Sequence, residues 1–363
     1  MRLSDAFQQA WPAFVLVTGL LLVGLVAHGD GLFARAGGLL ERLPGPPWVL
    51  LIVGMTLVAA VTAVLNLDTS VVFLTPILVY AARHRGLDEE PFLYSAIFMS
   101  NASSLYLPGS NLTNLLVLAH EPTSGGVFAR GMLAPALVAT LVTAAGLLFL
   151  FRHGLGESAP LESAHLSSRA APRVGAPRVL STGVGLLVTI LAALLTVLLR
   201  QPALPVLVLG LAGVALQILR NRLRVAHVIR AVGPLVLAGL FTLSVALGVL
   251  ARVWDGPAQL LGQTGRWGTA AIGGAAAVAI NNLPAAVLLS ARPLAHPRAL
   301  LLGLDLGPNL AVTGSLSAYL WLKVSRQLGE RPSAIAFSRR GMVLAPLALG
   351  GALLAISLFS TPG

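Results

Sequence analysis

Two carboxylates stand inside long apolar segments of this sequence. Of its 13 acidic residues, Asp68 and Asp305 are the two that lie well within such segments, each at an interruption of the apolar pattern. Because a carboxylate at membrane depth is energetically costly, we predict that both bind a coupling ion, either a proton or sodium. The alternative is that each only caps the N-terminus of a broken helix, where the positive end of the helix dipole favours an anion.

Amide and hydroxyl side chains gather at four interruptions of the apolar runs, near residues 66–69, 108–114, 281–284 and 313–317. Taken singly, such residues are more often helix caps. Matched interruptions in two halves of a membrane protein instead indicate a transporter binding site, where broken-helix ends hold the solute. The predicted substrate-binding residues are Asn66, Thr69, Ser110, Asn111, Asn114, Asn281, Asn282, Thr313, Gly314 and Ser315.

The composition is that of a polytopic membrane protein and excludes several function classes. The 363 residues are 56% hydrophobic and 10% charged, against about 25% charged in soluble domains. The absence of cysteine excludes disulfides and thiolate metal sites, and the histidines have no metal-ligand spacing. The net charge of +11 comes from arginines between apolar runs, so we expect no nucleic-acid partner. We also expect no enzyme activity, no cofactor and no bound metal.

Eight segments are long enough to cross a bilayer, and two further apolar stretches break in the middle. The eight are 13–29, 92–118, 131–151, 179–199, 204–219, 231–252, 299–322 and 341–359, of which 92–118 and 299–322 are predicted to be broken helices. The interrupted stretches 48–83 and 267–292 have arms too short for two comfortable crossings, which favours re-entrant hairpins.

The order of span, short polar-faced helix, hairpin and broken helix occurs twice. The sequence predicts a first repeat over 1–151, a linker over 152–178 and a second repeat over 179–363. One span precedes the hairpin in the first repeat and three precede it in the second, so we expect the first repeat to be shortened at its N-terminus. The predicted fold is therefore an all-α polytopic membrane protein with an inverted repeat.

The arginines favour one orientation of this chain in the membrane. If the first hairpin opens to the cytoplasm, Arg35, Arg42, Arg83, Arg85 and the basic residues of 152–178, 220–230 and 323–340 fall on that side, as the positive-inside rule expects. The second hairpin then opens outside, which gives the halves opposite orientations. We predict a multi-pass protein of the cell inner membrane with a cytoplasmic linker.

At its breaks the sequence resembles a known transporter family. Asn-Asn-Leu-Pro at 281–284, the stretch Gly303–Asn309 with Asp-Leu-Gly-Pro, and Thr313–Leu322 with Gly-Ser-Leu and Leu-Trp-Leu are similar to segments of the arsenite permeases, the ArsB family. In the first half, 66–76 ending in Leu-Thr-Pro and 110–114 (Ser-Asn-Leu-Thr-Asn) are similar to the same family. The resemblance extends from about residue 13 to the C-terminus.

This resemblance implies a carrier of the ion-transporter superfamily with an elevator mechanism, in which hairpins and broken helices move together against a scaffold. It implies efflux of arsenite or antimonite, driven by proton exchange or assisted by a separate soluble ATPase. The expected partners are the lipid bilayer, a small inorganic or carboxylate solute, a proton or sodium ion, and a second copy of the chain in a homodimer.

The sequence also departs from the arsenite permeases. Asn101 stands where they carry Asp, Asn309 stands where they usually carry Lys, and they usually have additional spans before residue 13. Both substitutions change the charge of the expected site. The alternatives are therefore a sodium- or proton-coupled carboxylate carrier or sodium/proton antiporter of the same fold, and, from another class, a membrane protein that has lost transport.

Overall fold

The computed structural model describes residues 2–120, 124–155 and 183–359, and the described part is helical without strands. In the first half, the helices are α1 (Arg2–Gly29), α2 (Leu32–Glu41), α3 (Pro47–Val64), α4 (Leu67–His84), α5 (Glu90–Ser103), α6 (Leu112–Val117) and α7 (Gly125–Leu150). Most of the predicted linker 152–178 lies outside the described residues.

The second half contains ten further helices within the described residues. These are α8 (Val184–Leu198), α9 (Ala203–Leu219), α10 (Val225–Val232), α11 (Pro234–Val253), α12 (Gly256–Gly262), α13 (Arg266–Ile280), α14 (Asn282–Leu289), α15 (Pro297–Leu306), α16 (Leu316–Gln327) and α17 (Ala334–Phe359). The helix at Val225–Val232 is not among the predicted segments, because three arginines precede it and a fourth, Arg230, interrupts its short apolar pattern. The prediction of an all-α membrane fold is confirmed.

Five stretches of the described chain are long and apolar enough to cross a membrane by themselves: Leu3–Gly29, Pro47–Val64, Gly125–Leu150, Val225–Val253 and Ala334–Leu358. The first starts ten residues before the predicted span at 13–29. α8 and α9 are shorter apolar helices, and both pack along α1. Between α1 and α9, the backbone of Gly19 faces that of Gly210. A Cβ on Gly210 would be 2.8 Å from the carbonyl oxygen of Gly19, so glycine permits the contact.

The first hairpin, α3 and α4, lies beside the C-terminal half of α1. Gly24 of α1 faces the side chain of Thr69, at the start of α4. One turn further along both helices, the rings of His28 and Phe73 stack with their centroids 4.6 Å apart. Since α4 thus runs in the same direction as α1, the first hairpin opens at the end of the molecule where α1 finishes. We call this end the Asp30 end.

The second hairpin, α13 and α14, opens at the other end. The Gln9 side chain, near the start of α1, donates to the carbonyl oxygen of Ser290 at 3.3 Å, and Ser290 directly follows α14. The 28 residues of α1 span about 42 Å at about 1.5 Å per residue, so these two ends lie on opposite sides of the molecule. The two hairpins therefore have opposite orientations, as an inverted repeat requires, and we call the second end the Gln9 end.

The two broken helices contain the same backbone turn. Leu107 and Ala311 are both extended, with φ of −132° and −151°, and a short 3₁₀ turn follows each at Pro108–Ser110 and Val312–Gly314. The chain then becomes extended again at Asn111 and at Ser315, with φ of −146° and −149°, before α6 and α16 begin. This agreement of backbone angles identifies the two breaks as equivalent parts of the two repeats.

Candidate functional site

Each helix that resumes after a break begins with a predicted site residue. Asn66, Asn111, Asn281 and Ser315 are the N-caps of α4, α6, α14 and α16. Their side-chain oxygens accept from the backbone N–H groups of Thr69 at 2.7 Å, Thr113 at 3.2 Å, Leu283 at 3.3 Å and Ala318 at 3.1 Å, in that order. Helix capping is therefore a role of all four residues.

Capping uses only the oxygen of each asparagine and leaves its Nδ2 group for a second contact. Asn111 Nδ2 donates to the carboxylate of Asp305 at 2.9 Å, and Asn281 Nδ2 donates to the carbonyl oxygen of Thr313 at 3.1 Å. Asn66 Nδ2 is buried and has no hydrogen-bond partner among the described residues, and the same is true of the neighbouring hydroxyl of Thr69. Two buried donors near the first hairpin tip are thus unpaired within the described part of the chain.

Asp305 is fully buried and is held by the first repeat. Its Oδ1 accepts from Asn111 Nδ2 at 2.9 Å and from Thr113 Oγ1 at 2.7 Å, and its Oδ2 accepts from Ser104 Oγ at 2.9 Å. Asp305 lies at the end of α15, in the second repeat, whereas all three donors belong to the first broken helix. The carboxylate therefore joins the two broken helices.

Asp68 makes the reciprocal connection. Its Oδ1 accepts from Ser317 Oγ at 2.5 Å, which joins the first hairpin to the helix that resumes after the second break. Asp68 is half-buried, so it is the more accessible of the two carboxylates. Three hydroxyl residues that contact the carboxylates lie inside the interrupted segments and are not among the predicted site residues: Ser104, Thr113 and Ser317. Nothing local in the sequence distinguishes a hydroxyl that contacts a distant carboxylate.

Hydroxyl groups at the two breaks anchor the hairpin tips in equivalent ways. Ser110 Oγ donates to the carbonyl oxygen of Ala63 at 2.9 Å, and Thr313 Oγ1 donates to that of Val278 at 3.2 Å. Each of these carbonyls lies three residues before the asparagine at its hairpin tip. Ser110 and Thr313 thus hold the breaks against the hairpins.

The remaining predicted residues differ in what they contribute. Asn114 Nδ2 donates to the carbonyl oxygen of Ser104 at 2.7 Å and stabilises the first break, whereas its buried Oδ1 has no partner among the described residues. Asn282 is buried at the start of α14. A Cβ on Gly314 would lie 2.6 Å from Pro308 Cα, so Gly314 serves close packing.

The two departures from the arsenite permeases at Asn101 and Asn309 are one structural feature. Asn101 Nδ2 donates to Asn309 Oδ1 at 2.7 Å, and both side chains are buried. A neutral amide pair thus occupies positions that carry opposite charges in those permeases. Among the described residues, the donors of the hydrogen bonds given above at the breaks are amide, hydroxyl and backbone groups. The site is therefore polar, and none of these donors is a cationic side chain.

The two hairpin tips differ in exposure. Leu65, Asn66 and Leu67 at the first tip are each at most 3% exposed. At the second tip Ile280 is 46% exposed, and Thr313 beside it is also exposed. The first tip is therefore packed inside the protein, whereas the second tip is partly exposed.

The fold is similar to that of a solved membrane transporter. The YdaH transporter of Alcanivorax borkumensis, described as having an unusual topology, superposes with a TM-score of 0.59 and 15% sequence identity. The alignment covers 98% of this chain and 87% of the YdaH chain. At this identity the likeness shows the fold alone, and it agrees with a transporter architecture.

A family comparison identifies the transporter class. The model of the CitMHS family, described as "Citrate transporter", matches residues 5–312, which is well over half of the chain. This family belongs to the ion-transporter superfamily, so the superfamily prediction is confirmed, whereas membership of the narrower arsenite permease family stays a prediction. The chain is a multi-pass membrane transporter rather than an enzyme, and it belongs to the CitMHS citrate transporter family.

Proposed function

We propose that the protein is a secondary transporter of small di- or tricarboxylates such as citrate, bound between the first-half and second-half breaks. The observation that carries this proposal is the pair of buried donors, Asn66 Nδ2 and Thr69 Oγ1, without partners among the described residues. A buried donor without an acceptor is costly, so a carboxylate oxygen that reaches either group supplies the acceptor that it lacks. The family description points to the same class of solute.

A carboxylate does not require a cationic side chain in this environment. The N-terminus of α4 begins at Asn66, and helix N-termini present a positive dipole end to anions. The equivalent helix starts at Asn111, Asn281 and Ser315 belong to the same network of breaks. Amide donors and helix dipoles together replace the arginine that an anion site in a soluble protein often has.

Asp68 and Asp305 supply the coupling in this proposal. Both carboxylates bridge the repeats, so adding a proton or a sodium ion changes the contacts between the two halves. Two buried carbonyl oxygens of the same region, Asn101 Oδ1 and Asn114 Oδ1, also have no partner among the described residues. Oxygen groups of this kind suit a cation that enters with the anion.

The ten predicted substrate residues remain part of this proposal. In it, the hairpins and breaks move together, as an elevator, against α1, α8 and α9.

The direct test is counterflow in liposomes that contain the purified protein. We expect unlabelled citrate inside the vesicles to drive uptake of labelled citrate, and an imposed proton or sodium gradient to drive net accumulation. Vesicles without protein and vesicles with Asp305→Asn protein serve as controls. Absence of citrate counterflow in well-folded wild-type protein would overturn the carboxylate proposal.

Substitution of Asn66 separates its capping role from its role as a donor. In Asn66→Asp the cap on Thr69 is kept while the free Nδ2 donor is replaced by an anionic oxygen, so we expect the KM for citrate to rise about tenfold or more, as loss of a hydrogen bond to a charged group implies. Asn66→Ser keeps both a cap and a hydroxyl donor and should have a smaller effect. Unchanged KM values in Asn66→Asp would show that capping is the only role of this residue.

Arsenite is the second candidate solute, favoured by the resemblance of 281–322 to the arsenite permeases. Arsenite is a neutral trihydroxy acid at neutral pH and needs acceptors as well as donors, which the unpaired Asn101 and Asn114 oxygens offer. A competition experiment distinguishes arsenite from citrate as the transported solute. Arsenite that inhibits citrate counterflow, and is itself accumulated, supports the arsenite function.

A further inference from the structure

A cleft at the Gln9 end of the molecule lies outside the breaks. It has a volume of about 420 Å³ and is bounded by α1, the 3₁₀ turn of the first break and the loop between α8 and α9. Its size is within the range of about 300–1,000 Å³ that is typical of small-molecule sites. Apolar residues form most of the walls, and the polar lining includes Gln8, Gln9, Arg200 and Gln201.

Arg200 is the cation of this cleft. It lies exposed at the rim and has no hydrogen bond or ion pair with any residue in the part of the chain that the structure describes. A second opening of about 390 Å³ shares Gln8 and Gln9 with the cleft and adds Asp5 and Arg252. Arg252 donates to Gln9 Oε1 at 3.0 Å, whereas Arg200 lines the cleft without such a contact among the described residues.

The floor of the cleft is the first break itself. Pro108 and Gly109 line it, and the next two residues are Ser110, which anchors the first hairpin, and Asn111, which binds Asp305. A Cβ on Gly109 would be 3.1 Å from Leu20 Cδ1, so side chains of α1 close the floor. The cleft thus ends at the first break, at the boundary between α1 and the broken helix and two residues before Asn111.

We propose that this cleft is a peripheral anion site, where Arg200 binds the carboxylate substrate at the Gln9 end before it reaches the breaks. The inference rests on the proposed function and adds a residue and an entry side to it. Low-dielectric walls concentrate the field of a single charge, which raises the local concentration of an anion and its association rate. One guanidinium above apolar walls binds a carboxylate weakly and releases it readily, as an entry site requires.

The kinetic test compares two arginines at the same end of the molecule. We expect Arg200→Gln to raise the KM for citrate about tenfold with little change in kcat, and to reduce the salt dependence of uptake, since a surface charge acts mainly on association. Arg130→Gln is the matched control, because Arg130 is also exposed and lies near the start of α7, outside the cleft. Wild-type KM and salt dependence in Arg200→Gln would overturn the proposal, while citrate transport itself would still support the proposed function.

Labelling gives a second readout that does not depend on turnover. The chain has no cysteine, so Gln201→Cys introduces a single thiol in the cleft, and Gln263→Cys introduces one at an exposed position after α12 as control. We expect citrate, at concentrations near its KM, to slow modification of Gln201→Cys by a membrane-impermeant thiol reagent but not that of Gln263→Cys. Equal modification rates with and without citrate would contradict the proposal.

The phosphate of an anionic lipid shares the chemistry of this site, so the labelling is repeated in vesicles of phosphatidylcholine alone and with phosphatidylglycerol. Protection by citrate in phosphatidylcholine alone supports the substrate as the occupant. Protection that follows phosphatidylglycerol and is insensitive to citrate would assign the cleft to lipid and overturn the proposal.

Discussion

At the scale of single residues, the asparagines at the breaks combine two roles that are usually treated as alternatives. The oxygens of Asn66, Asn111 and Asn281 cap the following helices, and the nitrogens of the last two bind other parts of the network. A carboxamide can do both because it carries an acceptor and two donors at one position. Identification of a cap therefore does not exclude a binding role.

Asp305 offers a prediction at this scale. Its carboxylate accepts three side-chain hydrogen bonds, and bonds to a charged group contribute about 1.5–3 kcal/mol each. In Asp305→Asn one acceptor oxygen becomes a donor and the charge is lost, so we expect gradient-driven citrate uptake to fall by about tenfold or more.

Initial uptake rates in proteoliposomes measure this effect, with Asp255→Asn as control. Asp255 is exposed and pairs with Arg292 at the surface, where an ion pair contributes little. The control should retain its wild-type rate. Gradient-driven uptake at the wild-type rate in Asp305→Asn would remove Asp305 from the coupling mechanism.

At the scale of helices, the second hairpin is held to the second broken helix by backbone contact. A Cβ on Gly303 of α15 would be 2.1 Å from the carbonyl oxygen of Ala270 in α13, and one on Gly307 would be 2.6 Å from Gly274 Cα. Small residues permit such close approach between membrane helices. The arrangement packs the middle of α13 against the end of α15, where Asp305 lies.

Gly303→Ala tests the importance of this contact. The added methyl group must separate α13 from α15, and overpacking of this kind costs about 1–3 kcal/mol. We expect a melting temperature several degrees below that of the wild type in detergent, and slower citrate uptake. Gly350→Ala in α17 is the control, since nothing lies within 4 Å of its Cβ position. Equal melting temperatures for the two variants would show that the helices separate at little cost.

At the scale of the whole molecule, ion pairs at the Asp30 end join the repeats a second time. Arg83, at the end of α4, donates to Glu89 from Nε at 2.6 Å and from Nη2 at 2.9 Å, and Nη2 also reaches Glu330 at 2.7 Å. Glu330 lies between α16 and α17, in the second repeat. Arg340 of α17 likewise binds Glu90 at 2.7 Å. Charged contacts at the Asp30 end thus supplement the polar contacts at the breaks.

Glu330 makes stability depend on pH at this end. Its hydrogen bond with Glu89, its burial and the charge of Glu89 raise the pKa of Glu330 from 4.5 to about 7, against the opposing effect of Arg83. Because this pKa is higher in the folded than in the unfolded chain, the folded state binds the proton more tightly, and the stability from this group is lost as the pH rises from about 4.5 through about 7.

We therefore expect Glu330→Gln to weaken the fall in melting temperature as the pH rises across this interval. Melting curves of the detergent-solubilised protein at several pH values measure the slope. Glu41→Gln serves as control, since Glu41 is exposed at the end of α2 and should leave the wild-type slope unchanged. A Glu330→Gln slope equal to that of the wild type would contradict the assignment.

The sequence by itself determined the features that depend on neighbouring residues. Apolar length, adjacent asparagines and prolines mark the spans and breaks, because a helix interrupted within a membrane needs local polar groups for its free backbone. Asn66–Asp68 and Asn281–Pro284 are therefore recognisable as breaks, and their recurrence indicates two repeats. The choice between arsenite permease and citrate transporter did not follow from these motifs, since both families belong to one superfamily.

Only the tertiary structure decided which groups meet. Asp305 binds Asn111, and Asn101 binds Asn309, across about half of the chain, and no local pattern encodes such pairs. They form because packing of α5 and α6 against α15 brings the two breaks together. The tertiary structure also buries the donors of Asn66 and Thr69 without partners among the described residues, and the proposed substrate site at the first tip rests on this.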